Sequence, residues 1–307
     1  MRLPITATLP NDADSISGVL DHGFELYARS FWRTCGFIVL ASLPNAGLGL
    51  VIGELQGSFA SMAAGGAFGS MVGKFGWLLP VYVLNLWFTL SMYNAAYYRT
   101  GLIARGRDER FWECAKYGFR IGHKSLGLAL LSMVLVFIAL MISAIWVGMA
   151  AVSIGTIAVT AGEFGPFIGV VATILVLLPP VIILSIVMVP IMLAPCALAL
   201  RREGVFAALG TGFRLMGRHF WRNVIVMTVP GVLYSIAYSG VLGIMGATVL
   251  KGTVMADSSL FNALTQILVV PLIALLMPLF IASVIALFAD LLVRRDGTDL
   301  RRQLDAL

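Results

Sequence analysis

After a polar start, apolar residues recur at helical spacing and polar ones fall between them. Ile16, Val19, Leu20, Phe24, Tyr27 and Phe31 step mostly by threes and fours, while Asp14, Asp21, Glu25 and Arg29 take the other face. The pattern predicts an amphipathic helix, too charged to span a bilayer and too apolar on one side to float, lying along the membrane surface. It leads straight into a first apolar span over 36–54, with a kink at Pro44 and Asn45 and a small-residue stripe of Gly47, Gly49 and Gly53. No strand precedes those glycines, so a dinucleotide fingerprint is rejected. Residues 56–73 read as a Gly-rich loop, and 75–98, with Pro80 inside, as the return span.

The same plan is then written twice more. Gly23-Phe24, Gly118-Phe119 and Gly212-Phe213 fall 95 and 94 residues apart, and the stretch from Gly212 to Arg222 closely repeats that from Gly23 to Arg33, ending Phe-Trp-Arg in both. The second copy has Phe111, Trp112, Ala115, Phe119 and Leu126 against Glu113, Lys116, Arg120 and Lys124, then spans over 125–152 and 166–200 around a weakly polar turn at 153–165. The long run with Pro179, Pro180, Pro190 and Pro195 is read as one kinked, tilted helix, since two would move the third repeat to the other side. The third copy has Val205, Phe206, Leu209, Phe213, Met216 and Phe220 on one face, with spans near 223–250 and 260–293. Residues Arg99-Thr100-Gly101, Arg202-Glu203-Gly204 and Arg295-Asp296-Gly297 align as the exits of the second spans.

The expected fold is an all-α integral membrane protein of six transmembrane helices in three repeats. Each repeat is an amphipathic interfacial helix plus two spans, over about 14–100, 101–201 and 202–295, with a short tail at 296–307.

Composition excludes a soluble domain: 60% of residues are apolar and 12% charged, with a mean hydropathy of +0.96. The start carries no apolar h-region, so the first span is expected to act as the insertion signal. Basic residues cluster at 29–33, 99–124, 201–222 and 294–302, all on one side if each repeat spans twice, which predicts cytosolic termini. The opposite turns hold only Glu54, Lys74, Glu163, Lys251 and Asp257. A net charge of +6 then needs no nucleic acid, because the cations sit at helix ends beside Trp32, Trp112 and Trp221, where anionic phospholipid head groups attract each by roughly 1 kcal/mol. Arg29, Arg33, Lys124, Arg218 and Arg222, with Trp32 and Trp221, are the expected head-group contacts.

The opening from Val19 to Trp32 resembles the membrane domain found ahead of the catalytic barrel in some bacterial glycerophosphodiester phosphodiesterases and in stand-alone YciC-like inner-membrane proteins. The stretches from Leu193 through Arg202-Glu203-Gly204 to Trp221, and from Ala289 to Leu300, are similar to the same group. The resemblance implies a six-helix protein of the bacterial inner membrane. It transfers no catalytic residue, and the chain ends where a fused barrel would begin, so no hydrolase activity is expected.

Chemistry-bearing residues are sparse. His22, His123 and His219 occupy three different repeat positions and read as surface or packing histidines rather than metal ligands. Cys35, Cys114 and Cys196 have neither metal nor disulfide spacing and are expected to stay reduced. Asp290, with Asn94 as its repeat counterpart, is the one intramembrane acid: it reads as helix-end solvation or an ion pair with Arg294 or a neighbouring Arg, with a coupling site as the alternative. Asn45 and Asn85 read as interhelical hydrogen-bond partners. No cofactor, metal or catalytic residue is expected. The function expected is a non-enzymatic scaffold or envelope-homeostasis factor holding phospholipids or a membrane-protein partner. Its alternative is a transporter or lipid-moving protein with a site between the proline-kinked helices.

Overall fold

The computed structural model describes residues 15–63, 68–160, 165–217, 219–250 and 258–296. Among them every element is an α-helix: α1 (Ile16–Ala63), α2 (Phe68–Ala104), α3 (Phe111–Thr160), α4 (Gly165–Arg201), α5 (Val205–Gly217), α6 (Phe220–Leu250) and α7 (Ser258–Asp296). Four stretches are long and apolar enough to cross a membrane: Phe111–Ala151, Val171–Arg201, Phe220–Gly240 and Leu268–Arg295. The chain is thus an all-helical, multi-pass membrane protein.

Two of the expected surface helices are not separate elements. α1 runs unbroken for 48 residues and α3 for 50, or about 72 and 75 Å at 1.5 Å per residue. Both lengths exceed a hydrocarbon core of about 30 Å, so both helices project beyond it. Only the third copy breaks, where α5 stops at Gly217 and α6 starts at Phe220. Repeat position explains the difference: Gly217 stands where the earlier copies have Ala28 and His123. A glycine costs a helix interior roughly 1 kcal/mol relative to alanine and favours termination. Residues 56–63, 68–73 and 153–160, expected in loops, are also helical; no proline interrupts them. α4 is one helix with all four prolines inside, each removing one backbone hydrogen bond without ending the element.

The apolar face of the first amphipathic run packs on protein rather than lying along lipid. Val19, Leu26, Phe37, Ile38 and Ala41 are buried, and the most extensive partner of α1 is α7. α3 in turn packs on α2, and α5 on α4. Three glycines set these approaches. A Cβ at Gly118 would meet the Ser91 carbonyl oxygen far inside contact distance and lie 2.9 Å from Ala95 Cβ; at Gly212 it would lie 2.5 Å from the Pro190 carbonyl oxygen, and at Gly23 3.2 Å from Ser283 Cα. Each approach is therefore backbone to backbone, as small residues permit in membrane helix packing.

α2, α4 and α7 also touch one another pairwise, through ends lined by Ala95, Ala96, Ala194, Ala197, Ala282 and Ala286, all buried. The core concentrates at this end, where the chain is most basic. Away from it, Leu79, Leu84, Met133, Phe137, Leu175, Val181 and Leu275 are exposed, a surface that acyl chains cover without cost because lipid is as apolar as the side chains.

Candidate functional site

The basic end is built from helix termini, where unsatisfied carbonyls need partners. α2 ends in a paired turn: the Arg107 amide donates to the Leu102 carbonyl (2.9 Å) and the Gly106 amide to that of Ile103 (2.9 Å). Gly106 takes φ 75°, a left-handed conformation that glycine adopts without strain. α4 ends differently. Arg202 takes φ 57° while its guanidinium lies 5.7 Å from the ring centroid of Tyr117, and the Tyr117 hydroxyl donates to the Ala199 carbonyl at 2.7 Å. Tyr117 on α3 thereby caps α4 and holds the strained residue beyond it.

Two carboxylates organise the arginines. Asp108, just past α2, accepts from Arg99 at 3.1 Å and lies 3.4 Å from Arg33 Nε, and Arg99 also donates to the Arg33 carbonyl at 2.8 Å. Asp290 on α7 is 0% exposed and accepts from Arg222 Nη2 and Arg294 Nε, each at 3.0 Å. Arg222 Nη2 also donates to the Ser15 carbonyl at 3.3 Å, which ties the start of α1 to α6 and α7. Arg33 and Arg222 occupy the same position in their repeats, each ending a Phe-Trp-Arg triplet. Both are held by a carboxylate that a second arginine shares.

These contacts redistribute the expected head-group residues. Arg29 pairs with Glu25, Arg33 with Asp108 and Arg222 with Asp290, so all three are engaged by side chains of the protein. Lys124 is half-buried, and Arg218 lies outside the described residues. The tryptophans are outward: Trp32, Trp112 and Trp221 are 68%, 70% and 66% exposed, each set edge-on to the phenylalanine before it at 4.9, 5.6 and 5.1 Å between centroids. Those phenylalanines pack towards the interior; Phe111 stacks on Phe37 at 4.1 Å. Arg105, Arg107, Arg110 and Arg120 are exposed alongside.

Asn94 and Asp290 serve different interfaces. Asn94 donates to Ser125 on α3, whereas Asp290 turns to α6. Asn85 donates to Asn45 at 2.6 Å and Asn45 to Thr89 at 3.1 Å, bridging α1 and α2.

A recess of about 330 Å³ opens where α5 gives way to α6, beside the end of α7. Arg214, Arg294, Arg295 and His219 line it with Leu215, Gly217 and Leu291. No family model, curated protein or solved structure matches this chain. No group of three His, Cys, Asp or Glu side chains suited to a metal ion occurs among the described residues. Sequence reasoning did not single out Asp108 or the recess. Asp108 is 75 positions from Arg33, so only the fold joins them. The recess did carry a local signal, since Gly217 follows Arg214 closely and Arg294-Arg295 close a span.

Proposed function

We propose that the chain is a non-enzymatic inner-membrane protein of six spans, with both termini cytosolic, that holds anionic phospholipid head groups at its basic end. It would act as a scaffold or envelope-homeostasis factor, as its resemblance implies. The carrying observation is the set of three outward tryptophans, each braced on a core-facing phenylalanine, beside exposed arginines at the end of apolar helices. Aromatic rings and cations together are what the head-group layer selects.

The glycine contacts support the threefold plan. Gly118 of the second copy meets α2 of the first, Gly212 of the third meets α4 of the second, and Gly23 of the first meets α7 of the third, a cyclic relation in which α1 and α2 supply the remaining two spans. The transport reading has less to stand on, because the basic ends of α2, α4 and α7 are filled by buried alanines and leucines rather than a path.

Topology is tested by reporters fused after Gly69, Glu163 and Asp257. All three are expected to report the outer side; a cytosolic signal at any one overturns two spans per repeat. Lipid preference is tested in nanodiscs with a variant retaining only Trp32, Trp112 and Trp221. A brominated anionic lipid is expected to quench their fluorescence several-fold more than a brominated zwitterionic lipid at the same mole fraction, given roughly 1 kcal/mol per interfacial cation. Replacing Arg107, Arg110 and Arg120 by Gln should narrow the difference. Equal quenching by the two lipids would count decisively against the reading.

A further inference from the structure

We infer that the recess between α5, α6 and α7 is a site for a single phosphate group. Its wall carries Arg214 from the last turn of α5, Arg294 and Arg295 from the last turn of α7, and His219 from the break between α5 and α6. Arg222, in the first turn of α6, stands behind, joined to Arg294 through Asp290. Four guanidinium groups therefore surround a space with one described carboxylate among them. That carboxylate is fully buried beneath the recess and committed to Arg222 and Arg294. The next acid, Glu203, pairs with Arg201 and reaches Arg214 only through the Thr211 hydroxyl. The excess positive charge calls for an anion.

Phosphate fits this geometry better than a carboxylate. Guanidinium groups bind phosphate oxygens bidentately, and several donors converging from separate helices suit a tetrahedral anion with oxygens on more than one side. A volume of about 330 Å³ lies at the lower end of the range for small-molecule sites, enough for a phosphate with a small substituent. Leu215 and Leu291 supply an apolar border beside the basic wall, compatible with the glycerol end of a lipid. Asp290 acts as a positioning residue: by fixing Arg294 Nε and Arg222 it sets the direction of two guanidinium groups before any anion arrives.

The inference rests on the reading that this end meets anionic phospholipid, and it fails separately from that reading. Phosphate can come from a lipid head group or from solution, so the full chain in mild detergent is titrated with short-chain phosphatidic acid, the matching diacylglycerol and inorganic phosphate, following thermal unfolding and native mass spectrometry. One short-chain phosphatidic acid, or one inorganic phosphate, is expected to bind per chain and raise Tm, while diacylglycerol does neither. Binding by the lipid alone identifies a head group held partly by its chains; binding by both identifies recognition of phosphate itself. Arg214→Gln and Arg295→Gln, at two side chains outside the Asp290 pair, are each expected to raise Kd at least tenfold. Arg107→Gln, on the other arginine cluster, leaves it unchanged. Binding of neither phosphate compound, or equal binding by both recess variants and the unmodified chain, overturns the site. The lipid quenching described above would stand in either case, since it reads the tryptophan-bearing surface and not the recess.

Discussion

Gly118→Leu is expected to lower thermal stability more than any other single glycine substitution in the three Gly-Phe pairs. A Cβ there meets the Ser91 carbonyl oxygen and, at 2.9 Å, Ala95 Cβ; both belong to the framework of α2 rather than to a flexible side-chain tip. α3 would have to move off α2 over the stretch where Gly122 also touches Ser91 and Trp87. Overpacking of this kind costs about 1–3 kcal/mol when the backbone can yield, and here it also threatens the Asn94 to Ser125 hydrogen bond. A loss of about 3 kcal/mol, on the order of 10 °C in Tm, is the expected result. The graded series makes the test sharp. With alanine, Gly212 should suffer nearly as much as Gly118, because its neighbour is the Pro190 carbonyl at 2.5 Å, and Gly23 less, because Ser283 lies at 3.2 Å. Gly210 and Gly240 have nothing within 4 Å, so alanine there should be neutral or mildly stabilising through helix propensity. Unfolding in detergent, followed by tryptophan fluorescence, reads the order directly. An inverted order would mean that the three glycines do not set the helix approaches.

The repeat of Gly-Phe pairs was visible in the chain without any structure; the reason for it was not. Amphipathic spacing says that Val19, Leu26 and their neighbours cover something, and it is silent about whether lipid or a helix lies beneath. The presence of aromatic residues and cations pointed to the interface, yet α7 takes the apolar stripe of α1, leaving Trp32 as the outward member of that run. The spans beginning near α4, α6 and α7 were legible because hydropathy is a sum over many residues. The turns were not, since 56–63 and 153–160 are composed of small residues that fit a helix end as well as a loop. The ionic framework was the least accessible part. Arg222 meets Asp290 across 68 positions and Arg33 meets Asp108 across a helix pair, and no local periodicity encodes either. Only Arg294, four residues from Asp290 on the same helix, was within reach of a spacing rule.

Asp290→Leu should be the other severe change, and for a different physical reason. The carboxylate is fully buried, with Arg222 and Arg294 side chains only 14% and 23% exposed. Leucine fills the volume but leaves two guanidinium groups facing each other without their common counter-charge. Removing one partner of a buried pair costs about 3–5 kcal/mol, whereas replacing the whole group by apolar side chains is often neutral. Asp290→Leu alone is therefore expected to cost about 3 kcal/mol, at the low end because both arginines keep some access to solvent. Adding Arg222→Met and Arg294→Met should restore most of it. The middle of the series carries the information. If Arg222→Met in the Asp290→Leu background recovers more than Arg294→Met does, the bridge between helices dominates the contact within α7, and the link from Arg222 to the Ser15 carbonyl is part of what the acid maintains. Hydrogen exchange at the first turn of α1 checks that link, since it should quicken in Asp290→Leu while exchange in α3 stays unchanged. A triple variant no more stable than Asp290→Leu would show that Asp290 is needed for its own packing, not for the charges it holds.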